Sequence, residues 1–299
     1  MSRNALTRRS FGRFCLAGAS LAAWPAGAQA QTFPQRMAVI DYGLAEALML
    51  IGITPIAVMS AADWKIWVVE PALPPAVADL GASVEPNFER LAALKPDLIL
   101  TTNYVAMAEP TLRRIAPVRQ LTIHGGADGY APLARSAEVT RELGRLTGRE
   151  AEAEKAIAEF DAEIAALGAR LRPRHPRPML FVSFLEPRHV RVYGEAGLYG
   201  NTLAKLGLAN AWTGEVNSWG FATVGVEDLV KAGEAECVAI EPVPPDVWPA
   251  LARSPLWTEL PFVRAGRVAT MPASLMFGTL PSALRFARLL DQLPPERAA

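Results

Sequence analysis

Between residues 135 and 172 the chain carries no strand signal and consists mostly of good helix formers. On both sides of that segment, short apolar runs alternate with helical patterns. Inside it Ile157, Phe160, Ile164, Leu167 and Leu171 recur at spacings of three and four, which is one apolar stripe on a helix. The opposite face carries Glu150, Glu152, Glu154, Lys155, Glu159 and Glu163. The run Arg172-Pro173-Arg174-His175-Pro176-Arg177-Pro178 then stops the helix, since proline offers no amide hydrogen and pushes its predecessor out of the helical region. A helix of about 22 residues spans roughly 33 Å, the width of a small domain. Such a rod between two alternating segments predicts lobe, long helix, lobe.

Strands are expected at 37–40, 56–59 and 98–101 before the rod, and at 179–184, 190–193, 237–240 and 268–271 after it. Strands alternating with helices predict parallel sheets covered by helices, an α/β fold. The two halves also echo each other. GLAEALMLIG at 43–52 and NTLAKLG at 201–207 share one pattern, and Phe88-Glu89-Arg90-Leu91 and Val226-Glu227-Asp228-Leu229 each open a helix leading into a strand. Part of that echo is what any two βα units share, but two similar halves predict a ligand cleft between them. The expected organisation is a leader at 1–30, an N-terminal lobe at 31–137, a connecting helical region at 138–172 and a C-terminal lobe at 173–299.

The leader is a separate object. Residues 1–30 hold Arg3, Arg8, Arg9 and Arg13 with no acid, then an apolar stretch from Phe14 to Trp24 and an Ala28-Gln29-Ala30 end. This is the layout of an export signal, too short in its apolar part to span a membrane. The pair Arg8-Arg9 in Thr7-Arg8-Arg9-Ser10-Phe11 points to the twin-arginine route, with a general secretory signal as the alternative. Removing it leaves 26 basic residues against 30 acidic ones, which carries no footprint for nucleic acid. Cys15 leaves with the signal, so Cys237 has no internal disulfide partner. The expected product is soluble, periplasmic and without a lipid anchor.

Catalytic signals are poor. The three histidines, His124, His175 and His189, argue against a three-histidine zinc site, and neither a G-x-S-x-G elbow nor a GxxxxGK[ST] loop occurs. Aromatic residues near strand ends are the better signal: Tyr42, Trp64, Trp67, Tyr104 and Trp219, joined by Met276 and Phe277 after the last strand. Loops beyond the carboxyl ends of parallel strands face the ligand crevice, and large rings there cover a bulky ligand at little conformational cost. For any single one of these residues, filling a lobe core is the alternative. Glu89 and Glu227 open one helix per lobe, where the helix dipole favours a negative charge. They would equally suit a partner with two basic pockets.

With those residues in view, the mature chain resembles the substrate-binding proteins of ABC importers for iron siderophores, especially the ferric-hydroxamate (ferrichrome-type) branch. The resemblance is carried by WVVEPALPPAVADLGASVEPNFERLAALKPDLIL from Trp67, LRRIAP at 112–117, EPRHVRVYG at 186–194, NAWTGEVNSWG at 210–220 and SPLWTELPFVRAGRV at 254–268. The NFERLAALKPDLI portion is common to the wider vitamin B12, haem and siderophore class. The family implies two Rossmann-like lobes joined by a single long helix, a shallow cleft and only small hinge motion. It also implies that Glu89 and Glu227 dock onto arginines of the membrane permease.

Carried over residue by residue, the resemblance assigns Trp67 and Trp219 to the cleft and places Tyr42 where a cleft aromatic is expected. Ser83 stands where the ferrichrome binder has an arginine that holds hydroxamate oxygens. The cleft tyrosine position falls on Val105, with Tyr104 beside it, and a Trp-Phe-Tyr run becomes Leu275-Met276-Phe277. Arg191 occupies an apolar contact position and is the candidate replacement for the missing arginine, with Arg188 as a second candidate. The implied ligand is a hydroxamate siderophore of different shape or charge, one with carboxylates being a candidate. Iron would arrive wrapped in its chelator, so no cofactor and no protein metal ligand is expected, and a monomer serving an inner-membrane ABC importer is implied. A cobalamin or haem binder of the same class, an exported siderophore esterase and a structural periplasmic domain are the alternatives.

Overall fold

The computed structural model describes residues 33–82, 85–125 and 131–294, so the leader, Ser83 and Val84, residues 126–130 and the last five residues lie outside it. The first sheet is built from β1 (Met37–Val39), β2 (Ala57–Val58), β3 (Ala78–Asp79), β4 (Leu98–Thr101) and β5 (Val118–Gln120), in the order β3-β2-β1-β4-β5. Its neighbours all run parallel, with Val39 opposite both Val58 and Leu100. Both faces of a parallel sheet are covered, which explains why Met37, Ala38, Val39, Ile99 and Leu100 are all buried without alternation. The covering elements include α1 (Tyr42–Leu50), α2 (Trp64–Trp67), α3 (Phe88–Ala93) and α4 (Glu109–Leu112).

The helical segment holds two helices, α5 (Pro132–Thr147) and α6 (Glu150–Leu171), and α6 is the expected rod of 22 residues. Gly148 takes a left-handed conformation at φ 68° and ends α5, and a β-carbon there would lie 2.5 Å from the Phe33 ring. The stripe Ile157, Phe160, Ile164, Leu167 and Leu171 is buried along α6, which leads directly into the second sheet.

The second sheet contains β6 (Met179–Phe184), β7 (His189–Tyr193), β8 (Phe221–Gly225), β9 (Glu236–Ile240) and β10 (Val268–Met271), in the order β10-β9-β6-β7-β8. Here the expectation of a parallel sheet needs correction: β10, β9 and β6 are parallel, but β6–β7 and β7–β8 are antiparallel. For β6–β7 the reason is the connection. Residues 185–188 are too few to cross the sheet, and parallel neighbours need a dozen or more. Instead they form a hairpin in which Leu185 N–H donates to the His189 carbonyl at 3.0 Å. This sheet is accompanied by α7 (Leu198–Leu206), α8 (Val247–Leu251), α9 (Pro255–Thr258), α10 (Pro261–Arg264) and α11 (Leu280–Gln292).

The two halves are stitched together at the start of α11. Glu46, in the middle of α1, is fully buried. Its carboxylate accepts from the Thr279 amide, from Thr279 Oγ1 at 2.9 Å and from Ser282 Oγ at 2.6 Å. Thr279 Oγ1 also lies 3.2 Å from the Gly43 carbonyl. A helix N-terminus leaves amide groups without intrahelical partners, and here a side chain from the other half supplies the acceptor.

Burial raises the Glu46 carboxyl from 4.5 to about 7, with the Ser282 and Thr279 donors working against that rise. The folded chain therefore holds this proton more tightly than the unfolded chain. The associated stability is complete below about pH 4.5 and is lost as pH rises through about 7. Glu46→Gln cannot ionise, so its stability relative to wild type should improve steadily across that window in urea titrations. A difference that stays flat with pH would contradict the burial argument.

Candidate functional site

A cavity of about 550 Å³ opens between the two sheets and is lined from both halves of the chain. The first half contributes Tyr42 at the start of α1, Trp67 at the end of α2, and Tyr104 just after β4. Arg191 on β7 and Trp219 in the loop before β8 come from the second half, as do Met276 and Phe277 between β10 and α11. The structure thus brings seven of the residues named from sequence to one space, while Ser83 lies outside the described residues.

Each ring is held by its own local chemistry. Tyr42 donates its hydroxyl to the Ser60 carbonyl at 2.6 Å and meets the Trp64 ring edge-on at 5.6 Å. Burial pushes the Tyr42 phenol up to about 12, so it remains a donor. Trp64 itself is buried at 2% exposure with Nε1 donating to the Pro71 carbonyl at 2.8 Å, so it is core and not cleft. Its neighbour Trp67, three residues on, is 41% exposed and faces the cavity. Tyr104 is 57% exposed and packs edge-on against Trp219 at 6.0 Å, a contact that spans the cleft. Trp219 also meets Phe277 edge-on at 5.5 Å. Val105, where the resemblance placed a tyrosine, is buried away from this wall.

The segment carrying Met276 and Phe277 is fixed to the first half of the chain. His124 is buried, and its Nε2 lies 2.9 Å from the Gly278 carbonyl, which requires the proton on that nitrogen. Burial lowers the His124 pKa to about 4, so the ring is neutral at ordinary pH. Its edge packs on Phe277 at 5.8 Å. Gly43 is needed because a β-carbon would sit 2.8 Å from the Phe277 carbonyl oxygen. The other two histidines are engaged with carboxylates, His175 with Glu236 at 2.7 Å and His189 with Glu186.

Several cavity residues were not identified from sequence. Asp41 lines the space and caps α1, accepting from the Leu44 amide at 2.8 Å, and burial raises its carboxyl to about 6. Ser183, Tyr193, Tyr199 and Phe221 line the opposite wall. The strand alternation of β7 would have found Tyr193, since it lies two residues from Arg191 on the same face. That alternation also corrects the expectation for Arg188, which is exposed, three residues away, and absent from the cavity wall.

Arg191 is the unusual charge of the site. Its guanidinium lies 4.3 Å above the Phe221 ring, and Nη1 lies 3.4 Å from Met276 Sδ. Its Nε is buried without a hydrogen-bond partner, and among the described residues no carboxylate forms a salt bridge with it.

Glu89 in the first turn of α3 and Glu227 in the 3-10 turns at Val226–Ala232 are both exposed, away from this cavity. The Glu227 carboxylate folds back over Gly225, where a β-carbon would lie 2.5 Å from Oε1. Cys237 is buried and its thiol is pushed up to about 12, which leaves it unreactive at neutral pH. Among the described residues no group of three or more His, Cys, Asp or Glu could hold a metal ion, and no helix is long and apolar enough to cross a membrane.

With this geometry in place, residues 37–275 match the family model described as periplasmic binding protein. The chain belongs to that family. It is 33% identical over 258 residues to the iron(3+)-hydroxamate-binding protein FhuD of Escherichia coli K12, covering 86% of each chain. It is 26% identical to the Fe(3+) dicitrate-binding periplasmic protein FecB of the same organism, covering 81% of this chain and 78% of that one. The fold overlays the crystal structure of the Vibrio cholerae siderophore-binding protein FhuD with Fe3+-Desferal bound at a TM-score of 0.79 and 28% identity. That overlay spans 86% of this chain and 96% of the other. These relatives are binding proteins, and the two-lobed α/β architecture of this chain is theirs.

Proposed function

We propose that this chain is a periplasmic substrate-binding protein that captures a ferric siderophore of the hydroxamate type and delivers it to an inner-membrane ABC importer. The observation that carries the reading is a single cavity ringed from both lobes by Tyr42, Trp67, Tyr104, Trp219 and Phe277, in a chain related to hydroxamate and citrate iron binders. A volume of about 550 Å³ suits a compact chelate and falls within the usual range for small-molecule sites. Rigid rings supply large contact area with few torsions to freeze. Iron enters already wrapped, so the protein provides packing and orientation, and the cargo leaves chemically unchanged. The protein acts as a monomer, and residues 1–30 direct its export.

Glu89 and Glu227 are the docking handles in this reading, one exposed carboxylate per lobe at a helix start. Paired basic pockets on the permease would meet them by charge complementarity.

Titrating the purified mature protein with ferric siderophores should quench the fluorescence of Trp67 and Trp219 in a saturable way for hydroxamates. Tight binding of a catecholate, haem or cobalamin with no response to any hydroxamate would contradict the proposal. The double variant Glu89→Ala with Glu227→Ala should bind ligand within about twofold of wild type while uptake in cells falls, because rim charges act on the partner encounter. Unchanged uptake would reassign both residues to helix stabilisation.

A further inference from the structure

We propose that the C-terminal wall of the cleft is an anion subsite formed by Arg191 with Ser183 and Tyr193, and that the cargo is a hydroxamate chelate bearing a free carboxylate. This rests on the preceding reading that the cleft takes a ferric hydroxamate.

The three side chains converge by register. Ser183 on β6 lies directly opposite Arg191 on β7, and Tyr193 follows two residues later on the same face. Ser183 Oγ and Tyr193 Oη are 2.8 Å apart, so one hydroxyl donates to the other and one O–H is left to donate elsewhere. Burial raises the Tyr193 phenol, which keeps that proton in place. Arg191 adds a permanent positive charge whose Nε is buried and unpartnered. The patch therefore offers donors and charge.

Within the chain Arg191 meets only uncharged partners, the Tyr193 hydroxyl among them. The thioether of Met276 is a weak acceptor and the Phe221 face is a soft partner, and neither supplies a negative charge. Asp41 sits on the other lobe with its carboxyl engaged at the start of α1. Glu241 also lines the cavity but is exposed at its edge, with no salt bridge to Arg191. A sheltered guanidinium without a counter-charge is costly to hold, so a ligand that brings the counter-charge is favoured. The planar fork selects for a carboxylate, which it can meet with two parallel hydrogen bonds. A chelate of three hydroxamates on Fe3+ is neutral and turns its charged oxygens inward to the metal, whereas a pendant carboxylate meets the guanidinium with a full charge.

The test compares wild type, Arg191→Met and Arg191→Lys by tryptophan fluorescence with two probes, neutral ferrichrome and an anionic ferric trihydroxamate that carries a pendant carboxylate clear of the metal. Arg191→Met should weaken the anionic chelate about tenfold or more beyond its effect on ferrichrome, the size of a lost charge-assisted hydrogen bond. Arg191→Lys should recover part of that loss, because it keeps the charge and loses the fork. If Arg191→Met does not fold by circular dichroism, the lysine variant decides alone through a larger loss for the anionic probe than for the neutral one. Equal losses for both probes would overturn the anion subsite and leave the transport reading standing. Failure of wild type to bind either probe would overturn both.

Discussion

A carboxyl group shut away from water where the two lobes meet governs the placement of the cleft. Buried acceptors must find donors, and Glu46 finds them in the amide of Thr279 and the hydroxyls of Thr279 and Ser282. Those donors belong to the start of α11, which therefore begins against α1 of the other half. Just before α11, the Gly278 carbonyl accepts from His124 and the Phe277 carbonyl closes over Gly43. These contacts at residues 277–279 leave Met276 and Phe277 little choice of position. Leaving a buried partner unsatisfied costs about 1–3 kcal/mol, so these contacts hold as a set.

That anchoring gives the rest of the cleft its logic. Phe277 is the hub to which Trp219, Phe221 and His124 pack, so one fixed ring orders partners from both lobes. Trp219 in turn reaches Tyr104 across the opening. The polar wall beneath is held by the β6–β7 hairpin, whose register cannot slip by one residue without turning Arg191 and Tyr193 to the other face. Apolar rings from both sides and a donor-rich floor suit capture and release of a preformed complex.

Much of this was legible in the sequence, and the misses have physical causes. The α6 stripe and the strands at 98–101 and 179–184 carried enough periodicity or β-branched content to be read directly. β3 and β5 are short edge strands with little apolar content, and their pairing is fixed by neighbours distant in the chain. The break at Gly148 was hidden because both flanking helices share good helix formers. Among site residues, aromatic rings after strands stood out, and the one assigned elsewhere, Trp64, differs from Trp67 by burial under its neighbours and by its indole bond to the Pro71 carbonyl. Glu46 left a trace that was not used, an acid in the middle of an apolar helix. Ser183 and Tyr199 left none, because a serine or tyrosine reaches a cleft only through tertiary packing.

The most direct test is a crystal structure of the mature protein grown with a ferric hydroxamate. The account requires the chelate to sit between Tyr42, Trp67, Trp219 and Phe277 with its iron coordinated only by siderophore oxygens. Iron bonded to a protein atom, or a chelate seated outside the space between the two sheets, would contradict it.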